Sequence, residues 1–85
     1  MSWTLRIAHR AEKSLAKSPA KDRARIVAAL GEMHENPFAG DVVRLQGEEN
    51  TWRRRVGSYR IIFEIDIKGL TVNVLDVARR TSTTY

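Results

Sequence analysis

The chain predicts an α+β domain, in which a two-helix hairpin lies on one face of a small antiparallel or mixed sheet of about four strands, in the order β-α-α-β-β-β. Two observations carry that expectation. In the first third, apolar residues recur at helical spacing on both sides of Ser18-Pro19. From Trp52 onward, apolar and polar residues alternate with the two-residue period of a strand, broken at Gly57-Ser58 and again near Lys68-Gly69.

Each element follows from local pattern. Trp3, Leu5 and Ile7 alternate against Thr4 and Arg6, which predicts a first strand. Ala8, Ala11 and Leu15 then sit at helical spacing and predict a short helix from about Ala8 to Lys17. Ser18-Pro19 reads as an N-cap followed by proline at the first helical position. The second helix is expected to bury Ile26, Val27, Leu30 and Met33 and to stop at Asn36-Pro37, because the residue before a proline is pushed out of the helical region. Gly40 marks a turn, Val42 to Leu45 begins the sheet, and Gly47 to Asn50 forms a loop. The hairpin follows, and a last apolar strand runs from about Leu70 to Ala78.

The hairpin is the most informative segment. Trp52, Arg54 and Val56 project to one side, and Arg53 and Arg55 to the other. Beyond the turn, Tyr59, Ile61, Phe63 and Ile65 make an apolar row, while Ser58, Arg60, Ile62 and Glu64 face away. Arg53, Arg55 and Arg60 therefore share one exposed face. Three guanidiniums on a rigid sheet form a surface suited to phosphate. Plain alternatives stand beside that reading: solvent-face arginines, and a cross-strand pair between Arg60 and Glu64. Arg54, on the apolar side, is suited to packing its stem or stacking on an aromatic ring.

Composition bounds the rest. Eighty-five residues suffice for a single small domain, with a core that is thin for its surface. With no cysteine, neither a disulfide framework nor a thiolate metal site supplements that core. The N-terminal region carries no long apolar run, so neither a secretory signal nor a membrane span is expected, and a cytoplasmic location is. Net charge is +5 and the pI is near 10.2, which favours a polyanionic or acidic partner. The basic excess is spread over both halves, so the arginine cluster says more than the total.

Several motifs together resemble the RelE/ParE superfamily of toxins from bacterial type II toxin–antitoxin systems, and RelE-like members in particular. They are Leu45-x-Gly47, then Trp52-Arg53-Arg54-Arg55-Val56-Gly57-Ser58-Tyr59-Arg60, then Val74-Leu75-Asp76-Val77-Ala78-Arg79-Arg80, preceded by a helical hairpin ending in Asn36-Pro37-Phe38. The resemblance spans essentially the whole chain. Carried over residue by residue, it implies a catalytic surface of Arg53, Arg55, Arg60, Arg80 and Tyr85, with Arg54 and Arg79 joining Arg53 and Arg55 as RNA contacts. It implies a ribosome-dependent endoribonuclease acting on messenger RNA, and a small acidic or amphipathic antitoxin as partner. The alternative within the superfamily is a non-catalytic, ParE-like inhibitor of DNA gyrase.

Metal-free RNA cleavage uses the substrate's 2′-hydroxyl as nucleophile, and fixed guanidiniums stabilise the charge that grows on the phosphate oxygens. No grouping of His, Cys and carboxylate has metal-ligand spacing, so neither metal nor cofactor is expected. The proton acceptor is missing from this set, because arginine stays protonated. Some relatives have lysine where this chain has Arg53 and Arg55. Glu48 and Glu49, in the loop before the hairpin, are the carboxylates weighed for the role.

Overall fold

The computed structural model describes residues 2–45, 47 and 50–79. Strand β1 (Thr4–Ile7) leads into helix α1 (His9–Lys17) and helix α2 (Ala20–Glu35), followed by β2 (Val42–Arg44), β3 (Thr51–Val56), β4 (Tyr59–Asp66) and β5 (Thr71–Arg79). The sheet has five strands in the order β1-β5-β4-β3-β2, rather than about four. It is mixed: β1 runs parallel to β5, and every other pairing is antiparallel. β1 and β2 thus occupy opposite edges, and the helical hairpin crosses one face of the sheet between them.

The covered face forms the core. Tyr59, Ile61, Phe63 and Ile65 from β4 and Val72, Val74 and Val77 from β5 pack against Ala11 of α1 and Ile26, Ala29, Leu30 and Met33 of α2. In α2 the buried positions fall at i, i+3, i+4 and i+7, one helical stripe. Val27 was expected to be buried, but at i+1 it is rotated off that stripe and is 52% exposed. Phe38, just past α2, bridges the rings of Trp3 and Trp52 edge-to-face, with centroids 6.3 Å and 5.6 Å away.

Punctuation differs from expectation at one joint. Ser18 ends α1 rather than starting α2: its N–H donates to the Leu15 carbonyl, and its hydroxyl donates to the Ser14 carbonyl at 2.9 Å. Pro19 itself takes the cap position of α2, and its carbonyl accepts from Arg23 N–H at 2.8 Å. At the far end Asn36 closes the helix as expected, its side-chain oxygen accepting from Phe38 N–H at 3.0 Å. In β5 a bulge at Leu75 breaks strict alternation. Phe63 lies opposite Val74 and Ile62 opposite Asp76, so Val77, not Asp76, returns to the core face. Among the described residues no helix is long and apolar enough to cross a membrane.

Candidate functional site

The β3–β4 hairpin builds the site. Gly57 takes the positive φ of 58° that this two-residue turn requires, and register then pairs Val56 with Tyr59, Arg55 with Arg60, Arg54 with Ile61 and Arg53 with Ile62. Directly paired residues share a face. Because Tyr59 and Ile61 point to the helices, Arg53, Arg55, Arg60 and Ile62 point to the uncovered side. The alternation read from sequence holds along the whole hairpin.

On that open face Arg53 stands between Ile62 and Val43, its partners in β4 and β2. These aliphatic neighbours lower the local dielectric around the charge and leave the Arg53 side chain only 18% exposed. Arg55 is more open, and lies straight across from Arg60. Like charges directly opposed on a sheet cost stability. A protein that keeps two guanidiniums in register either balances them with an anion or reserves them for one.

Asp41 provides part of that balance. It sits immediately before β2, and its carbonyl accepts from Arg55 N–H at 3.0 Å. Its carboxylate takes Arg53 Nη1 at 3.3 Å on Oδ1 and faces Arg55 Nε at 4.0 Å on Oδ2. The Asp41 carbonyl also receives Arg53 Nη1 at 3.4 Å. Sequence reading missed Asp41. The available signal was its place one residue before the Val42-Val43 alternation, which puts it opposite Arg55 once β2 pairs with β3.

Arg54 is a correction to the expected RNA-contacting set. It turns to the helix side, is 8% exposed, and forms an ion pair with Glu32. Its Nη1 donates to the Ala29 carbonyl at 3.5 Å, and a Cβ on Gly40 would lie 2.8 Å from its guanidinium carbon. Its place is a packed bolt between strand and helix. Arg79, also expected among the RNA contacts, stands elsewhere on the surface. It pairs with Tyr59 and lines a cleft of about 340 Å³ between α1 and the end of β5, together with Arg10, Lys17 and Asp76, on the side away from the arginine face. Arg10 crosses that cleft to Asp76 at 3.5 Å. Arg80, Tyr85, Glu48 and Glu49 lie outside the described residues. Of the expected catalytic set, the fold therefore brings Arg53, Arg55 and Arg60 together.

Comparison with known proteins places this geometry among relatives. The family model described as the ParE toxin of the type II toxin–antitoxin system parDE matches residues 5–83. Among solved structures, the toxin–antitoxin complex RelBE2 from Mycobacterium tuberculosis is 30% identical, with a TM-score of 0.82 over 94% of this chain and 100% of that one. The archaeal RelE–RelB complex from Pyrococcus horikoshii gives a TM-score of 0.85 at 23% identity, over 98% of this chain and 100% of that one. The isolated Escherichia coli RelE toxin gives 0.83 at 20% identity, over 98% and 89%. At those last two identities the likeness concerns the fold. No curated protein matches the sequence.

Proposed function

We propose, starting from the fact that this chain belongs to the ParE toxin family of type II toxin–antitoxin systems, that it is a metal-independent endoribonuclease which cuts messenger RNA on the ribosome and so halts translation in the cytoplasm. The observation that carries this reading is the arrangement of Arg53, Arg55 and Arg60 at neighbouring register positions on the uncovered sheet face. Guanidiniums opposed across a ladder suit a surface reserved for an anion such as a phosphodiester.

In this reading the substrate's 2′-hydroxyl attacks the adjacent phosphorus, and the 5′-oxygen leaves. Charge grows on the two non-bridging oxygens as the phosphorus becomes five-coordinate. Arg60 and Arg53 hold those oxygens, each contributing about 10²–10³ in rate by analogy with an oxyanion donor. Arg55 adds field from the same side. Arg80 serves the leaving oxygen and Tyr85 stacks on an unpaired base, as the family pattern implies. The pairs with Asp41 do not block the site, because the Asp41 carboxylate is half exposed and a phosphodiester outcompetes it when the ribosome presents it.

The M. tuberculosis relative is a toxin–antitoxin complex. By extension this chain has a cognate antitoxin, an acidic or amphipathic segment that covers the basic face. A second reading, non-catalytic inhibition of DNA gyrase, is favoured by the ParE description of the matching family. Primer extension on a translated message after induction separates the two. Discrete cuts in phase with codons are expected. Intact messages with inhibited supercoiling would select the gyrase reading.

A further inference from the structure

Cleavage by the 2′-hydroxyl needs a group to take its proton, and a guanidinium has no acceptor to offer for it. Among the described residues, Asp41 is a carboxylate on the open face that lies against the arginine cluster. Asp41 touches the arginine cluster at two points, Oδ1 against Arg53 at 3.3 Å and Oδ2 against Arg55 at 4.0 Å. Its backbone is fixed by the hydrogen bond from Arg55 N–H, so the carboxylate is held at the cluster and does not wander into it from a loop. Its side chain is 53% exposed and open to a ligand approaching that face.

We infer that the Asp41 carboxylate is the proton acceptor for the attacking hydroxyl, an inference that rests on the ribonuclease reading. The geometry follows from shared partners. A phosphodiester held by Arg53 and Arg60, with Arg55 adding field, lies beside the Asp41 carboxylate that faces Arg53 and Arg55. The 2′-hydroxyl, on the ribose whose 3′-oxygen carries that phosphorus, is the nearest acidic proton on the substrate. Each carboxylate oxygen offers two acceptor positions; Oδ1 spends one on Arg53, and Oδ2, 4.0 Å from Arg55 Nε, is beyond hydrogen-bond reach of it, which leaves room for the hydroxyl. The proton passes to Asp41 as the 2′-oxygen's electron pair forms the O–P bond. The bond from phosphorus to the 5′-oxygen breaks, and that oxygen takes a proton from water. The proton on Asp41 then returns to solvent, so the products are a 2′,3′-cyclic phosphate and a 5′-hydroxyl with no net change in water.

The test is single-turnover cleavage of a message on programmed ribosomes by the full chain and two variants. Asp41→Asn keeps the size of the side chain and an oxygen for the arginines but cannot take a proton. It is expected to cleave about 10²–10⁴-fold more slowly while binding ribosomes as the parent does. Asp41→Ala is expected to be equally slow and to regain rate in proportion to added imidazole, a diffusible base too unlike a carboxylate to restore an arginine clamp. Parental or faster cleavage by Asp41→Asn overturns the assignment, and so does a slow Asp41→Ala that imidazole leaves unchanged. If the parent chain itself leaves messages intact on the ribosome, the ribonuclease reading falls and the assignment falls with it. That outcome is distinct from failure in the variants alone.

Discussion

Arg54 and its neighbours Arg53 and Arg55 are the same amino acid on one strand, yet the sheet gives them opposite work. Arg54 faces the helices, is 8% exposed, and fastens β3 to α2 through Glu32 and the Ala29 carbonyl. Arg53 and Arg55 face the uncovered side, where the half-exposed carboxylate of Asp41 lies against both. The difference teaches that charge count does not identify a functional surface. Pleat and register decide whether a guanidinium is held inside or offered to a ligand. One face is built to be stable, and the other holds like charges in register at some expense to stability.

The comparison breaks most decisively at the core. Phe63→Ala, at a position with no exposure, is expected to cost about 3–5 kcal/mol, read as a shift of the urea unfolding curve. That is a large share of what a domain of this size holds. A loss under 1 kcal/mol would show that the helices do not seal this face. Next in size is the opposite signature from the open face. Arg55→Ala should reduce message cleavage, by less than the ~10²–10³-fold of a direct donor, while unfolding within about 0.5 kcal/mol of the parent, since the lost pair to Asp41 is offset by relief of Arg60. Equal losses of stability and cleavage would place Arg55 in the scaffold.

These two faces were legible in sequence to different depths. The side taken by each residue from Trp52 to Ile65 follows from a two-residue period that needs no partner to be read, and the structure keeps it. The helical stripe was mostly legible too, apart from Val27, one position off the buried row. What local pattern does not contain is pairing at a distance. The parallel match of Leu5 with Val72 and Ile7 with Val74 joins residues more than sixty positions apart, and β2 is only three residues long, so the fifth strand was hard to count. The bulge at Leu75 resets the phase of β5 and keeps Asp76 out of the core, which strict alternation does not foresee. Asp41 escaped notice for the same reason: its chemistry appears only when β2 lies against β3.

The bolt at Arg54 gives a sharper and smaller test. Gly40 has φ of 84°, and a Cβ there would lie 2.8–2.9 Å from three atoms of the Arg54 side chain. Gly40→Ala therefore meets a guanidinium already held between Glu32 and Ala29, and is expected to cost about 1–3 kcal/mol from overpacking together with the left-handed backbone. In an Arg54→Ala background the steric part disappears, so the same substitution should cost only the backbone part. Two losses that add fully would mean that Arg54 moves aside freely and is no bolt.

The smallest effect separates catalysis from support on the open face. A double-mutant cycle over Asp41→Asn and Arg53→Ala, read in unfolding free energy, should give a coupling of about 0.2–1 kcal/mol that shrinks as salt is raised, because the carboxylate is half exposed and the pair is screened. The same cycle read in cleavage rate should be strongly non-additive, since two groups serving one transition state cannot each be lost in full. A coupling well above 1 kcal/mol in stability, insensitive to salt, would make Asp41 a brace for Arg53. The two faces would then differ in exposure but not in purpose, and the division of labour between Arg54 and its neighbours would lose its meaning.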